Sequence, residues 1–171
     1  MTEDLRTRRG VVTVEDDGRQ RLEFRRSWPD PIEEVWAAIT EPDRLVRWIG
    51  VYEGERRAGG TGTFAMTQEE GDAAGQPTTI VECDPPRRLV IEWPEASPQM
   101  ERIDLDLATE DGRTVLRFVQ VFPATADVVD WALGWHWYLD KLGAEIDGGT
   151  PPTDWDVFVA ETGPAYGRPP S

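Results

Sequence analysis

The sequence predicts an α+β domain: a curved antiparallel sheet wrapped around one long helix, two short helices near the N-terminus, and a cavity between sheet and helix. Three observations carry this expectation. Val128, Ala132, Trp135, Leu139, Leu142 and Ile146 recur at spacings of four, three, four, three and four, which is one stripe of an α-helix. Between residues 51 and 122 the apolar period drops to two, the strand signature. Ahead of that region stand two short apolar runs at helical spacing, each opened by a helix-start signal.

In chain order, residues 1–9 are polar and charged and are expected to be a flexible N-terminus. Gly10 to Glu15 reads as a short strand, Asp16-Asp17-Gly18 as a turn, and Arg19 to Trp28 as a second strand. Asp30 suits a helix N-cap, Pro31 the first helical position, and Glu33 a capping box, with Ile32, Val35, Trp36 and Ile39 as the apolar face. Thr40-Glu41-Pro42 breaks that helix and launches a shorter one bearing Leu45, Val46, Trp48 and Ile49, which Gly50 stops. Candidate strands follow at Val51–Arg56, Thr61–Thr67, Thr78–Cys83, Arg88–Trp93, Arg102–Ala108 and Arg113–Phe122. Ile103, Leu105 and Leu107 alternate with Asp104 and Asp106, so one sheet face is dry and the other wet. The long helix Val128–Ile146 has Asp127 to cap its start and Gly148-Gly149 to end it, and about twenty helical residues span roughly 30 Å. The domain is expected over residues 10–148. Residues 149–171 hold five of the 14 prolines and read as an extended tail, which Trp155, Phe158 and Val159 pack back onto the domain.

Length and composition narrow the function classes. A chain of 171 residues fits one domain. Eighteen basic against 33 acidic residues give a net charge of −15, which repels phosphate backbones and anionic lipid heads and argues against nucleic-acid and membrane-surface binding. Cys83 is the only cysteine and His136 the only histidine, too few for an internal disulfide or a structural zinc site. There is no apolar run near 18 residues and no signal-peptide pattern, so a cytoplasmic protein without membrane insertion is expected.

Four ordered motifs carry a family resemblance. Val35-Trp36-Ala37-Ala38-Ile39-Thr40-Glu41-Pro42-Asp43-Arg44-Leu45, followed by Trp48, resembles the opening motif of the SRPBCC or START-like superfamily. More narrowly, it resembles homologues of the C-terminal domain of the activator of the ninety-kilodalton heat-shock-protein ATPase. Gly59-Gly60 through Phe64 resembles the glycine turn and following strand, Val81 to Trp93 the central hairpin, and Gly134 to Leu142 the last helix. The resemblance covers roughly residues 10–148 and implies the helix-grip fold, a curved antiparallel sheet holding the C-terminal helix. It implies less about activity, because that superfamily includes lipid carriers, hormone receptors, polyketide cyclases, oxygenase domains and co-chaperones.

Trp48, Phe64, Trp93, Phe118, Trp131, Trp135 and Tyr138 form the candidate lining of a ligand site between helix and sheet, since small-molecule sites are apolar walls with a few polar handles. The competing reading is a closed core, because eight tryptophans fill a small cavity as readily as they line it. Gln120 is a polar residue on an otherwise apolar strand face. Its amide, if inward, needs a partner from a ligand, the backbone, Tyr138 or water, because a lone buried amide costs about 1–3 kcal/mol. His136 and Asp140, four apart, can touch and could serve catalysis. They lie round the helix from Trp135 and Leu139, so an exposed surface pair is expected. The Gly59-Gly60-Thr61-Gly62 run is a tight turn rather than a phosphate loop, and Glu69, Glu70 and Asp72 read as a solvated loop rather than a calcium site. Cys83 beside Asp84 has an anionic neighbour that raises a thiol pKa, which makes it a poor nucleophile.

The leading expectation is therefore a binding module for a small, mostly apolar molecule, held by burial beneath the helix and oriented by Gln120 or Tyr138. The second is a cyclase- or dehydratase-like enzyme using the same cavity. With no carboxylate or histidine clearly pointing inward, the reading leans away from catalysis and names no catalytic residue, cofactor or metal. The third is a co-chaperone-like protein-interaction module. The chain is expected to lack the separate N-terminal domain of the eukaryotic activators, so a chaperone partner ranks last. A homodimer is compatible with each reading.

Overall fold

A computed structural model describes residues 5–67, 75–94 and 102–168. The candidate calcium loop with Glu69, Glu70 and Asp72 lies outside the described residues. The elements are α1 (Leu5–Arg8), β1 (Val11–Val14), β2 (Gln20–Trp28), α2 (Ile32–Thr40), α3 (Pro42–Trp48), β3 (Val51–Gly54), β4 (Thr61–Ala65), β5 (Gln76–Asp84), β6 (Arg88–Glu92), β7 (Arg102–Glu110), β8 (Arg113–Phe122), α4 (Val128–Asp147) and α5 (Trp155–Thr162), followed by a 3₁₀ turn at Gly163–Tyr166. The eight strands form one antiparallel sheet in the order β1-β2-β8-β7-β6-β5-β4-β3, curved around α4 in the helix-grip arrangement.

The strand periods set which face looks inward. Leu22, Phe24, Arg26 and Trp28 of β2 are buried in alternation, and Phe24 stands opposite Phe118 of β8. Ile103, Leu105 and Leu107 of β7 are buried, while Asp104 and Asp106 face out. On that outer face Arg88 bridges Glu82, Asp104 and Asp106 at 2.6–2.9 Å. Such half-exposed pairs contribute roughly 0–1 kcal/mol each, so they fix register and solubility more than stability. A register shift between Ile80 and Glu82 interrupts the β5–β6 ladder where that part of the sheet bends.

Helix α4 begins as expected: Asp127 accepts the Val129 N–H at its N-cap, and Gly148 ends it in the left-handed conformation at φ 75°. The whole stripe Val128, Ala132, Trp135, Leu139, Leu142 and Ile146 is buried. At α2 the capping expectation is corrected. Pro31, not Asp30, occupies the N-cap position, with no side-chain cap, and the first helical residue is Ile32. Asp30 instead gives its carbonyl oxygen to the Thr114 hydroxyl at 2.6 Å, which ties the helix entry to β8. The α2–α3 junction follows the sequence: the Glu41 N–H closes on Ala37 O, and Pro42 opens α3. Arg44 of α3 then meets Glu145 of α4 at 2.7 Å, so the short helices are held against the long one.

At both ends the chain differs in detail from its expectation. Leu5–Arg8 forms a helical turn, and Arg8 reaches Asp140 of α4 at 3.2 Å. The segment read as an extended tail contains α5, capped by Asp154 accepting the Val157 N–H at 3.1 Å. The prolines lie on either side of this helix, so they bound it without breaking it. Phe158 packs edge-on to Trp137 at 5.2 Å and to His136 at 5.5 Å, covering the face of α4 turned away from Trp135. No helix among the described residues is long and apolar enough to cross a membrane.

The β3–β4 hairpin carries a tight steric constraint near the cavity described below. Gly54 (φ 149°) pairs with Gly62, and Tyr52 lays its hydroxyl across them to donate to Glu55 O at 2.6 Å. A Cβ on Gly62 would overlap the Glu53 carbonyl oxygen and meet Tyr52 Oη at 2.8 Å. Gly62→Ala is expected to destabilise the protein by about 2 kcal/mol or more, measured by urea unfolding, because backbone cannot yield as a flexible side chain can.

Candidate functional site

The principal void lies between the short helices and the far half of the sheet, not directly beneath α4. It measures about 210 Å³. Its walls are Trp36, Ile39 and Thr40 of α2, Leu45 of α3, Tyr52 of β3, Phe64 of β4, Thr78, Ile80 and Cys83 of β5, and Leu89 and Ile91 of β6, with Arg56 and Pro85 from adjoining turns. A second void of about 50 Å³ shares Ile39, Leu45, Phe64 and Ile91 with the first and continues toward Trp135, Leu139 and Leu142 of α4. The physical cause is coverage. Helices of nine and seven residues are short against four strands, so the concave surface of β3–β6 is only partly filled.

Among the residues singled out from the sequence, Phe64 lines both voids, and Trp48, Trp93, Phe118 and Trp135 line the smaller one. Gln120, Trp131 and Tyr138 line neither. Gln120 is buried, and its Oε1 accepts the Trp135 indole N–H at 2.7 Å, a protein partner where a ligand was one expectation. Trp131 packs on Phe122 at 5.9 Å and stays half-buried. Tyr138 packs against Trp135 at 6.1 Å. Trp48 donates its indole N–H to Ala38 O at 2.8 Å, which locks α3 onto α2. The walls also include residues not singled out from the sequence as ligand contacts, among them Trp36, Tyr52, Arg56, Ile80, Leu89 and Ile91. The apolar alternation of β5 and β6 was visible, but nothing local said which helix would cover it.

His136 and Asp140 require a correction: the pair is not a surface contact. His136 is fully buried and Asp140 largely so, because α1, β2 and the C-terminal segment close over them. Buried Arg26 of β2 meets Asp140 Oδ1 at 2.9 Å and donates to Arg8 O at 3.0 Å. Tyr166 Oη accepts the Gly10 N–H at 2.6 Å and lies in hydrogen-bond contact with His136 Nδ1 at 2.8 Å, with the donor set by the imidazole tautomer. His136 Nε2 lies 3.5 Å from Asp140 Oδ2 and has no hydrogen-bond partner among the described residues. Burial, with the Arg26 and Arg8 cations, pushes His136 down to about 3, and burial pushes Tyr166 up to about 12. This cluster lines neither void and ties the chain ends to α4.

The principal cavity is chemically sparse. Among the described residues, the titratable groups on its wall are Tyr52, Arg56 and Cys83, and no carboxylate or imidazole lines it. Burial pushes both the Tyr52 phenol and the Cys83 thiol up, and Asp84 adds to the Cys83 shift while Arg56 opposes it. Neither group is a ready base or nucleophile at neutral pH. Among the described residues no group of three or more His, Cys, Asp or Glu side chains could hold a metal ion. What the walls offer is apolar area.

A family model for activator of Hsp90 ATPase homolog 1-like proteins matches residues 30–147. The chain belongs to this family. No curated protein sequence matches it. The crystal structure of CalU16 from Micromonospora echinospora is similar at 29% identity and a TM-score of 0.70, over 91% of this chain and 92% of that one. The Aha1 dimer from Colwellia psychrerythraea shares the fold at 21% identity and a TM-score of 0.62, over 76% of this chain and 98% of that one. DynU16, from the dynemicin biosynthetic locus, does so at 21% and 0.64, over 77% of this chain and 48% of that one. The family match includes the walls contributed by α2–β6 and α4, while the polar cluster joins α4 to Arg8, Arg26 and Tyr166 outside it.

A histidine neutral in the fold and free to charge when unfolded weakens the protein on acidification. Its contribution is intact above pH 6.5 and is lost as the pH falls toward about 3. On going from pH 7 to pH 5 this group alone is expected to remove on the order of 2 kcal/mol. Denaturant unfolding of the wild type and His136→Gln at both pH values checks it: the variant loses less stability over the interval.

Proposed function

We propose that this activator-homologue-like protein binds a small, mostly apolar molecule in the cavity walled by α2, α3 and β3–β6. The observation carrying this reading is a mostly apolar cavity of about 210 Å³, open at the Arg56 side, with Ile39, Leu45, Phe64 and Ile91 also walling a smaller one under α4. A ligand seated there gains dispersion contacts with walls that otherwise face empty space or solvent. Burying about 200 Å² of apolar ligand surface yields roughly 5 kcal/mol before association costs, so the affinity is modest without further chemistry. Among the described residues the walls carry no carboxylate or imidazole, and burial holds the Tyr52 phenol and the Cys83 thiol protonated at neutral pH, which favours binding over the cyclase or dehydratase reading.

Single-ring apolar probes such as indole or toluene are expected to raise the melting temperature by a few degrees and to change the fluorescence of Trp36. Ile91→Phe, which fills the shared wall, should abolish both responses while the variant remains folded by circular dichroism. Retention of the full response in Ile91→Phe would place binding elsewhere.

Self-association is a second reading, favoured by the β1 edge. Val11, Val12 and Val14 are exposed on a strand at the end of the sheet order, whose outer edge pairs with no strand among the described residues. Sedimentation equilibrium tests it: a strictly monomeric mass at every concentration removes this reading.

A further inference from the structure

Resting on the binding reading above, we propose that the ligand carries an anionic head, a carboxylate on a single ring or short apolar body, and that Arg56 pairs with it at the cavity mouth. Among the described residues, Arg56 is the one charged residue on the wall. The Arg44, Arg47, Arg57, Arg87 and Arg88 guanidiniums on the surrounding elements each pair with a carboxylate. Arg56 has no carboxylate within 4 Å among the described residues, in a chain where acids outnumber bases 33 to 18. Its hydrogen bond is from Nη2 to Thr40 O at 3.1 Å, which holds the planar group at the mouth and leaves its other N–H donors for a bidentate acceptor.

The remaining polar wall groups do not compete for that head. The hydroxyls of Thr40, Tyr52 and Thr78 donate to Trp36 O, Glu55 O and Gln76 O at 2.6–2.9 Å. Their protons are spent on the backbone, so the guanidinium is the donor that faces a ligand acceptor. Size sets the body. A cavity of about 150 Å³ holds benzene, and drug-sized ligands need about 300–1,000 Å³. The observed 210 Å³ therefore takes one ring with a short arm. The net charge of −15 opposes an anion at long range, but salt screens that field beyond about 8 Å under physiological conditions, while contact with Arg56 is screened far less.

The test compares three probes with one skeleton, 3-phenylpropionate, 3-phenylpropanol and 3-phenylpropylamine, by calorimetry on the wild type and Arg56→Gln. Slowed alkylation of Cys83 by iodoacetamide reports occupancy of this cavity in each protein. Arg56 is exposed, so the variant is expected to keep its melting temperature. The expected result is that the acid binds about three- to tenfold tighter than the alcohol, that the amine binds weakest, and that the acid's advantage disappears in Arg56→Gln. Equal binding of acid and alcohol overturns this inference while leaving the cavity reading intact. So does an acid preference that survives in the variant, or tightest binding by the amine. Failure of all three probes to bind or to protect Cys83 removes the cavity reading and this inference together.

Discussion

The rest of the structure depends on how Trp135 seats α4 in the sheet. Its ring packs on Phe118 at 4.8 Å, and its indole N–H reaches Gln120 Oε1 at 2.7 Å, fully buried. A polar pair in so apolar a place is specific: a slip of β8 by one residue would turn Gln120 outward and leave the indole N–H without its acceptor. The contact fixes both the rotation of α4 and the register of the strand beneath it. With that rotation set, Arg44 can meet Glu145, and α2 and α3 take the space left over β3–β6.

The cavity follows from that geometry. A helix of 20 residues closes one side of the concave surface, and helices of nine and seven residues roof the other. Ile39, Leu45, Phe64 and Ile91 wall both spaces, so the smaller one near Trp135 and the larger one near Arg56 are neighbours divided by these side chains. Meanwhile the face of α4 carrying His136 and Asp140 is sealed by Arg26, Arg8 and Tyr166. Those groups spend their polarity on anchoring the chain ends rather than on chemistry in the cavity. Such a buried charge cluster is costly to assemble and costlier to break, which suits a latch on long-range topology.

Much of the fold was legible because its signals are local. The α4 stripe, the period of two in β7 and β8, the Asp127 cap and the Gly148 stop are each encoded within a few residues, and the resemblance ordered them into the correct architecture. Local signals also misled. The strand expected from Thr78 begins at Gln76, and the prolines around α5 hid its Asp154 cap. The angle of His136 from Trp135 predicts an exposed side chain only if the helix has one covering layer, whereas this helix has a second made by residues up to 132 positions away. The location of the cavity is still less local. It depends on the mismatch between roof length and sheet breadth, which no single segment contains, so the aromatic residues pointed to the smaller void and missed Arg56, Ile80 and Leu89.

The central claim is that the interior of this fold is hollow at one defined place. Crystals pressurised with xenon test it most directly, because xenon occupies apolar voids without needing a particular ligand chemistry. The account predicts xenon density bounded by Ile39, Phe64, Ile80 and Leu89, with none beside Trp131 or in the His136 cluster. Density confined to the Trp131 end of α4, or no xenon between α2 and β4–β6, would contradict it.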